Sequence, residues 1–177
     1  STLTDGAEGP EQAVSLVPGS GYAVIQSAIS NSGGHAFHLA HPNGGGEPHL
    51  LLDQALYASA SSRVDFASRL GYATSSQMAG LEVSVDDGQT WQSLYSQAGS
   101  SPESSFSQQS VSLSAYAGQW IRIRLVYRFV SGSYYGQTSS GVGWYVDDLV
   151  VHDVSTIQDQ RLEDLGLAAS YSHTPAS

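Results

Sequence analysis

Short apolar segments with a two-residue period recur through the middle of this chain. In the clearest of them, Leu81, Val83 and Val85 alternate with Glu82 and Ser84. Such alternation is typical of a strand with one buried face and one polar face. Clusters of Gly, Ser, Asn and Asp separate the apolar segments, and helical periodicity has little support. The pattern therefore predicts an all-β domain, either an antiparallel sandwich or a barrel.

The same pattern places nine strands along the chain. They are predicted at residues 22–30, 36–41, 49–53, 63–70, 80–85, 90–95, 106–114, 119–130 and 144–152. Residues 21–154 are expected to form the folded domain. Residues 1–20 are expected to contribute a first strand or a linker, and residues 155–177 a polar tail or linker.

The longest predicted strand, residues 119–130, carries arginines on one face and apolar side chains on the other. The arginines are Arg122, Arg124 and Arg128, and the apolar face consists of Ile121, Ile123, Leu125, Tyr127 and Phe129. Two further arginines, Arg63 and Arg69, lie on the polar face of the 63–70 segment. If the two strands share a sheet, five positive charges line one surface. Pairing with Asp65, Glu82 and other carboxylates is the favoured interpretation; a platform for an acidic polysaccharide or a carboxylate-bearing partner is the alternative.

Composition narrows the range of partners. The 177 residues carry a formal net charge of −10, from 16 acidic residues against six arginines. This balance disfavours binding to nucleic acid or to anionic membranes. No apolar run approaches the roughly 20 residues that a membrane-spanning helix needs, so membrane insertion is not expected. The absence of cysteine excludes disulfides and thiolate metal sites.

Two adjacent carboxylates interrupt the apolar segment at residues 143–151. A carboxylate is not buried without a partner, and successive strand residues face opposite sides of a sheet, so Asp147 and Asp148 are expected to find separate partners. One partner could be a metal ion; amides of a loop or an arginine are the alternatives. Asp148 shares a predicted strand face with Trp144 and Val146, and is the favoured metal ligand of the two.

Other candidate chemistry is weaker. His35 and His38 point to opposite faces of an extended strand and cannot converge on zinc, so the histidines there are predicted to be solvated at an edge strand or loop rim. The chain has no His-Glu-x-x-His metallopeptidase motif, no Gly-x-Ser-x-Gly elbow and no P-loop lysine. We therefore predict that it is not an enzyme.

Exposed aromatic residues are a stronger signal. The polar, Gly-rich segment 131–141 contains Tyr134 and Tyr135, which could stack on sugar rings or could fold back over the sheet edge. The three tryptophans, Trp91, Trp120 and Trp144, are interpreted as packing residues.

Three ordered motifs, at residues 81–91, 111–124 and 143–148, resemble the MAM-like jelly-roll domain that accompanies immune inhibitor A type secreted metallopeptidases. Jelly-roll carbohydrate-binding modules with an aromatic-x-Asp-Asp closing strand are also similar. The resemblance implies an antiparallel two-sheet jelly-roll sandwich, an extracellular setting and a non-catalytic role.

The resemblance also implies a structural calcium ion between the first and last strands. The matching positions are Glu8 and one or both of Asp147 and Asp148, and Ala7 replaces the aromatic residue of the motif. We therefore predict a calcium-stabilised accessory module that contacts protein, matrix or surface beside neighbouring domains of a larger secreted protein. The alternative is a carbohydrate-binding module that recognises a polysaccharide through Tyr134 and Tyr135 or through the Arg122, Arg124 and Arg128 face.

Overall fold

The computed structural model describes residues 1–8, 14–17, 22–42 and 46–164, in which strands dominate. The strands are β1 (Leu3–Asp5), β2 (Val14–Val17), β3 (Ile25–Gln26), β4 (Ala36–Leu39), β5 (His49–Leu52), β6 (Leu56–Leu70), β7 (Gln77–Ser84), β8 (Gln92–Ala98), β9 (Ser107–Ser112), β10 (Trp120–Phe129) and β11 (Trp144–Ser155). A 3₁₀ turn spans Ser114–Tyr116, and one helix, α1, spans Ile157–Asp164.

The strands form two antiparallel sheets. In the first sheet β6 lies between β9 and β11, and the far side of β11 pairs with β4 along one half and with β1 along the other. In the second sheet the order is β2, β5, β10, β7, β8. The first two residues of β10, Trp120 and Ile121, also pair with the start of β6 and so connect the sheets. The predicted all-β, antiparallel sandwich is confirmed.

Apolar side chains from both sheets meet in one core. Phe66 of the first sheet packs edge-on against Tyr95 of the second, with 5.6 Å between ring centroids, and against Trp144 at 6.2 Å. Ile123 and Leu125 of β10 are fully buried, as the alternation predicts. Burial of each such side chain contributes about 1.5–3 kcal/mol, so this core supplies most of the driving force for folding.

Several strand boundaries differ from the sequence prediction. β6 begins seven residues before residue 63, because its serine-rich first half lacks alternation but pairs with the end of β11 across a register shift. The predicted strand at 22–30 is reduced to β3. The short strands β1 and β2 fall in the segment expected to supply a first strand or linker.

The arginines do not form the shared surface that was considered. Arg63 and Arg69 lie on β6 in the first sheet, whereas Arg122, Arg124 and Arg128 form their cross-strand pairs in the second sheet. The hypothesis of five charges on one sheet face is therefore wrong. The two strands pair at Trp120 and Ile121, where β10 passes from one sheet to the other.

A helix follows the last strand within the segment expected to be a polar tail. Its start is capped reciprocally: the Asp159 N–H donates to Thr156 Oγ1 at 3.2 Å, and the Thr156 N–H donates to Asp159 Oδ2 at 3.0 Å. This arrangement resembles a capping box with Asp in place of Glu. The prediction missed it because the segment lacks an apolar helical period. Residues 165–177 lie outside the described residues.

Gly143 makes the turn into β11 possible. Its φ is +85°, and a Cβ atom there would lie 2.5 Å from the carbonyl oxygen of Leu39. Gly141 has nearly the same φ, +86°, but a Cβ atom there would meet no atom within 4 Å. A side chain at either position would suffer the strain of a positive φ, but a side chain at position 143 would also clash with β4.

We predict that Gly143→Ala destabilises the fold more than Gly141→Ala. The second substitution should cost about 1–2 kcal/mol, the penalty of a left-handed conformation, whereas the first adds displacement of the β4 backbone. Urea unfolding of the two variants measures the difference. Equal losses of unfolding free energy would show that the close approach of β4 and Gly143 is not a constraint.

Candidate functional site

Asp147 is buried at the point where β11 bends, and it holds a turn of the chain. Its Oδ2 accepts the N–H groups of Asn31 at 2.8 Å and Ser32 at 3.1 Å, and its Oδ1 accepts the N–H of Asp148 at 2.8 Å. Burial raises the pKa of this carboxyl, outweighing the opposing effect of the three amide donors. Asp147 is thus committed to backbone donors.

Asp148 reaches the same turn from the solvent side. Its Oδ2 accepts a hydrogen bond from Asn31 Nδ2 at 2.8 Å, and its Oδ1 accepts one from the Ser32 hydroxyl. The expectation of separate partners is wrong, because Asp148 adopts a φ of +51° in a bulge that interrupts the strand alternation. The same bulge shifts the buried positions to Leu149 and Val151, so Asp148 does not share the core face of Trp144.

Glu8 completes the attachment of the turn. Its Oε1 accepts the N–H groups of Gly34 at 2.8 Å and His35 at 2.7 Å, and its Oε2 lies 3.0 Å from His35 Nδ1. These contacts, the His35 side chain foremost, lower the pKa of Glu8. We call residues 31–35 together with Glu8, Asp147 and Asp148 the acid turn.

The donor set of the acid turn bears on the calcium prediction. Among the described residues, no group of three or more Asp, Glu, His or Cys side chains is arranged to hold a metal. All three carboxylates accept hydrogen bonds from the turn, but Asp147 is buried, whereas Glu8 and Asp148 are more open to solvent and both lie near Gly6. A Cβ atom on Gly6 would lie 3.8 Å from Glu8 Cγ and 3.9 Å from Asp148 Oδ1. The carboxylate oxygens of Glu8 and Asp148 and the hydroxyl oxygen of Ser32 are hard donors of the kind that calcium prefers, whereas the Asn31 side chain directs its Nδ2 at Asp148.

The prediction of solvated histidines in and around β4 is wrong for His38, within β4, and for His41, two residues beyond it, because both are buried. The His38 ring stacks on Tyr145 at 4.2 Å, and its Nε2 donates to the carbonyl oxygen of Val142 at 2.5 Å. His41 Nε2 lies 3.1 Å from the carbonyl oxygen of Gly46, and its Nδ1 accepts a hydrogen bond from Gln77 Nε2 at 2.8 Å. Burial lowers the pKa of both histidines.

Two tyrosines stand exposed at the end of the sandwich where β6 and β10 finish. Tyr72 is 48% exposed and Tyr135 is 37% exposed. Their ring centroids lie 4.8 Å apart with the planes inclined at 64°. We call this pair the tyrosine platform. The polar, Gly-rich loop predicted the exposure of Tyr135. Tyr72 was not predicted, because its one sequence signal is that it follows Gly71, just after the end of β6.

The backbone beneath the tyrosine platform is held firmly. The Tyr72 N–H donates to the carbonyl oxygen of Gly141 at 2.8 Å, and the Gly143 N–H donates to the carbonyl oxygen of Tyr72 at 2.9 Å. Gln77, which is buried, donates from Nε2 to the carbonyl oxygen of Tyr135 at 3.0 Å. Both rings are therefore presented on anchored main chain, which reduces the entropy lost when a ligand binds.

Tyr134 behaves differently from its neighbour. Its ring packs edge-on against Phe129 at 5.2 Å and against His41 at 6.0 Å. Of the two predicted loop tyrosines, Tyr134 therefore lies against the end of the sheet, whereas Tyr135 is presented to solvent.

The three arginines of β10 contact carboxylates. Glu82, which is 3% exposed, receives Arg124 Nε at 2.8 Å and Arg128 Nη1 at 2.6 Å. Arg124 also lies 4.3 Å from the ring centroid of Trp91, and Arg128 Nε donates to Glu47 at 2.7 Å. Arg122 is paired separately with Asp87 at 3.2 Å. Because Glu82, Glu47 and Asp87 together balance the charge of the three arginines, this face is poorly suited to a polyanion.

Comparison with known proteins identifies similar folds but no family. Neither the family models nor the curated proteins match this chain. The CBM22-1 xylan-binding domain of Paenibacillus barcinonensis Xyn10C is similar with a TM-score of 0.52 at 12% identity, covering 84% of this chain and 91% of that one. The K3 cleaved adhesin domain of Lys-gingipain from Porphyromonas gingivalis w83 has a TM-score of 0.52 at 16% identity, covering 86% and 91%.

A third similar structure is the glycoside hydrolase domain of Endo-D from Streptococcus pneumoniae R6. It has a TM-score of 0.47 at 13% identity, and the match covers 86% of this chain but 22% of that one. The likeness to the xylan-binding and adhesin domains, at 12% and 16% identity, shows a shared fold alone. No helix in the described part of the chain is long and apolar enough to cross a membrane.

The buried histidines predict loss of stability in mild acid. Because burial lowers the pKa of His38 and His41, the unfolded chain takes up protons below pH 6.5 that the folded protein does not. The free energy of unfolding should therefore fall from pH 7 to pH 5, by at most about 1.4 kcal/mol per pH unit for each histidine.

Urea unfolding at pH 7, 6 and 5 measures this slope. His38→Gln with His41→Gln should flatten it, whereas His49→Gln, at a partly exposed position in β5, should leave it unchanged. An equally steep slope in the double variant would mean that other groups cause the acid sensitivity.

Proposed function

We propose that this chain is an extracellular, non-catalytic module that binds a neutral polysaccharide through the tyrosine platform. The single observation that carries the proposal is the exposed pair Tyr72 and Tyr135 on anchored backbone at one end of the sandwich. Tyrosine rings combine a flat apolar face with a polar hydroxyl, which suits the C–H face and the hydroxyls of a sugar. The fold shared with a xylan-binding domain makes xylan the first ligand to test.

Charge supports a neutral ligand. The chain has a net charge of −10, and the β10 arginines are in contact with Glu82, Glu47 and Asp87. A polyanion would have to displace these carboxylates and approach a negatively charged protein. A neutral polysaccharide meets neither obstacle. The inclination of 64° between the two rings also suits a chain whose successive sugar rings are rotated relative to each other.

A second candidate function is adhesion to an extracellular protein or matrix, beside neighbouring domains of a larger secreted protein. The similar fold of the Lys-gingipain adhesin domain favours it. A protein partner would use a wider surface than two tyrosines, so loss of Tyr72 and Tyr135 would weaken such an interaction less than it weakens sugar stacking.

A structural calcium ion at the acid turn is part of the proposal. Glu8 and Asp148 would supply carboxylate oxygens to it, joined by oxygens of Asn31 or Ser32, whereas Asp147 would keep its three backbone N–H partners. The ion would offset the repulsion between carboxylates that meet at one turn. Its role would be to fasten residues 31–35 to Glu8, which follows β1, and to Asp148 of β11. It would not contact the polysaccharide.

We predict that Tyr72→Ala and Tyr135→Ala each weaken binding to xylan about tenfold or more, because each removes a stacking surface on which a sugar ring rests. Affinity electrophoresis in gels containing soluble xylan measures the retardation, and isothermal titration with xylohexaose gives the dissociation constants.

Val130→Ala serves as the matched control, since Val130 is 53% exposed at the start of the same loop and has no aromatic ring. Tyr134→Ala should lower the melting temperature through its lost packing on Phe129. Failure of the wild-type protein to bind neutral polysaccharides, or binding as strong as wild type by both tyrosine variants, would overturn the proposal.

Calcium should raise thermal stability, by about 2.7 kcal/mol when its concentration is a hundredfold above its dissociation constant. Melting after chelation, and again after calcium is restored, measures this. Glu8→Gln and Asp148→Asn should abolish the calcium response.

Asp147→Asn provides the contrast. It should destabilise the protein by about 1–3 kcal/mol with and without calcium, because an amide cannot accept all three backbone N–H groups. A melting temperature that does not change between chelator and calcium in the wild-type protein would contradict the calcium proposal and leave the polysaccharide proposal standing.

A further inference from the structure

A cavity of about 450 Å³ lies at the end of the sandwich away from the tyrosine platform. Its walls combine exposed apolar side chains with one ion pair. The apolar residues are Trp120, Val85 and Ile157, which are 39%, 51% and 58% exposed. The cavity volume falls in the range of small-molecule sites, about 300–1,000 Å³. Large apolar side chains left open to solvent in a concave site mark it as a place for a ligand.

Trp120 is held in position within this cavity. It is the first residue of β10, its main chain pairs with Tyr57 of β6, and its ring meets the Tyr57 ring edge-on at 5.3 Å. The indole is therefore a fixed flat surface. The sequence interpretation of Trp120 as a packing residue like Trp144 is incomplete, since Trp144 is fully buried and Trp120 is not.

A hydrogen-bond donor, Arg122, and an acceptor, Asp87, line the cavity together with Trp120. Arg122 Nη2 donates to the carbonyl oxygen of Leu52 at 3.1 Å, and its Nη1 donates to Asp87 Oδ1 at 3.2 Å. The Asp87 side chain is 81% exposed, and Arg122 Nε is buried without a hydrogen-bond partner. A guanidinium that donates and a carboxylate that accepts can together bind two neighbouring hydroxyl groups.

We propose that this cavity is a second sugar-binding site, which accepts a neutral pyranose with its C–H face on Trp120 and two hydroxyls on Arg122 and Asp87. An acidic sugar fits less well, because its carboxylate would meet Asp87 in the cavity wall. Asp86, the preceding residue, adds a second negative charge nearby, since hydrogen bonds from Thr90 and Ser84 lower its pKa to about 2. The ligand class rests on the proposed function, but the residues are different.

The two sites lie at opposite ends of the sandwich. β7 and β10 are paired from Gln77 with Phe129, next to the tyrosine platform, to Ser84 with Arg122, in the cavity wall. Seven strand steps of about 3.3 Å separate these positions by roughly 23 Å. A disaccharide cannot reach both sites, so each can be titrated separately.

Tryptophan fluorescence tests the cavity. Trp144 is fully buried and Trp91 is covered by Arg124, so Trp120 is the tryptophan best placed to respond to a ligand. Titration with xylobiose or cellobiose should give a saturable emission shift. Arg122→Gln and Asp87→Asn should each weaken the apparent affinity about fivefold or more, and Asn tolerates the φ of +58° at position 87.

The tyrosine platform supplies the matched control. The double variant Tyr72→Ala with Tyr135→Ala should reduce retardation by xylan strongly and keep the fluorescence response, whereas Arg122→Gln should weaken the fluorescence response and keep most of the retardation. Far-ultraviolet circular dichroism and melting confirm that each variant is folded.

The outcomes separate the two proposals. Retardation by xylan without any fluorescence response to millimolar disaccharide overturns the second site alone. A response unchanged in Arg122→Gln and Asp87→Asn also overturns it, and a stronger response to digalacturonate than to the neutral disaccharides overturns the neutral ligand class. A fluorescence response that depends on Arg122, in a protein whose xylan binding ignores Tyr72 and Tyr135, supports the second site and overturns the platform.

Discussion

The passage of β10 from one sheet to the other is the constraint on which the remaining structure depends. Its first two residues pair with β6, and its later residues pair with β5 and β7. This brings the two apolar faces together over one core. It also places the loops after β6 and β10 at one end of the sandwich and the residues around Trp120 at the other. The two surfaces proposed to bind sugar therefore lie at the two ends of this strand arrangement.

The acid turn holds a polar segment that the apolar core cannot hold. A sandwich closes its core with apolar contacts, but the segment between β3 and β4 is too polar to be held that way. Three carboxylates hold it instead, with Asp147 inside the protein and Asp148 and Glu8 outside. An unpaired carboxylate would be costly at the position of Asp147, whereas one that accepts three N–H groups orders a loop. The bulge at Asp148 is what allows two consecutive residues to serve the same turn.

The sequence predicts strands whose apolar and polar residues alternate. It does not predict strands whose position is determined by pairing with other strands. The apolar faces of β7 and β10 follow from the alternation, and their buried members are Leu81, Val83, Ile121, Ile123, Leu125 and Tyr127. The prediction is wrong for Val85, which lies beyond the end of β7 and is 51% exposed, and for Glu82 and Ser84, which are buried. The start of β6 and the strands β1 and β2 have no such alternation and are specified by their partners. His38 and His41 were misjudged because polarity suggested solvent, whereas carbonyl and amide partners satisfy their buried rings. Tyr72 and Tyr135 are far apart in the sequence and come together in the folded protein, so the sequence does not predict their contact.

Two binding surfaces at opposite ends would change what such a module does. A single groove along a sheet would hold one polysaccharide chain, and neighbouring subsites would add affinity on that chain. Two sites separated by roughly 23 Å along the strands, each facing outward from its own end, gain little from one short oligosaccharide. They gain from an insoluble matrix, where different chains are present at high local concentration and the second contact becomes effectively intramolecular. Weak binding of soluble fragments and strong retention on a solid polysaccharide follow from the same geometry.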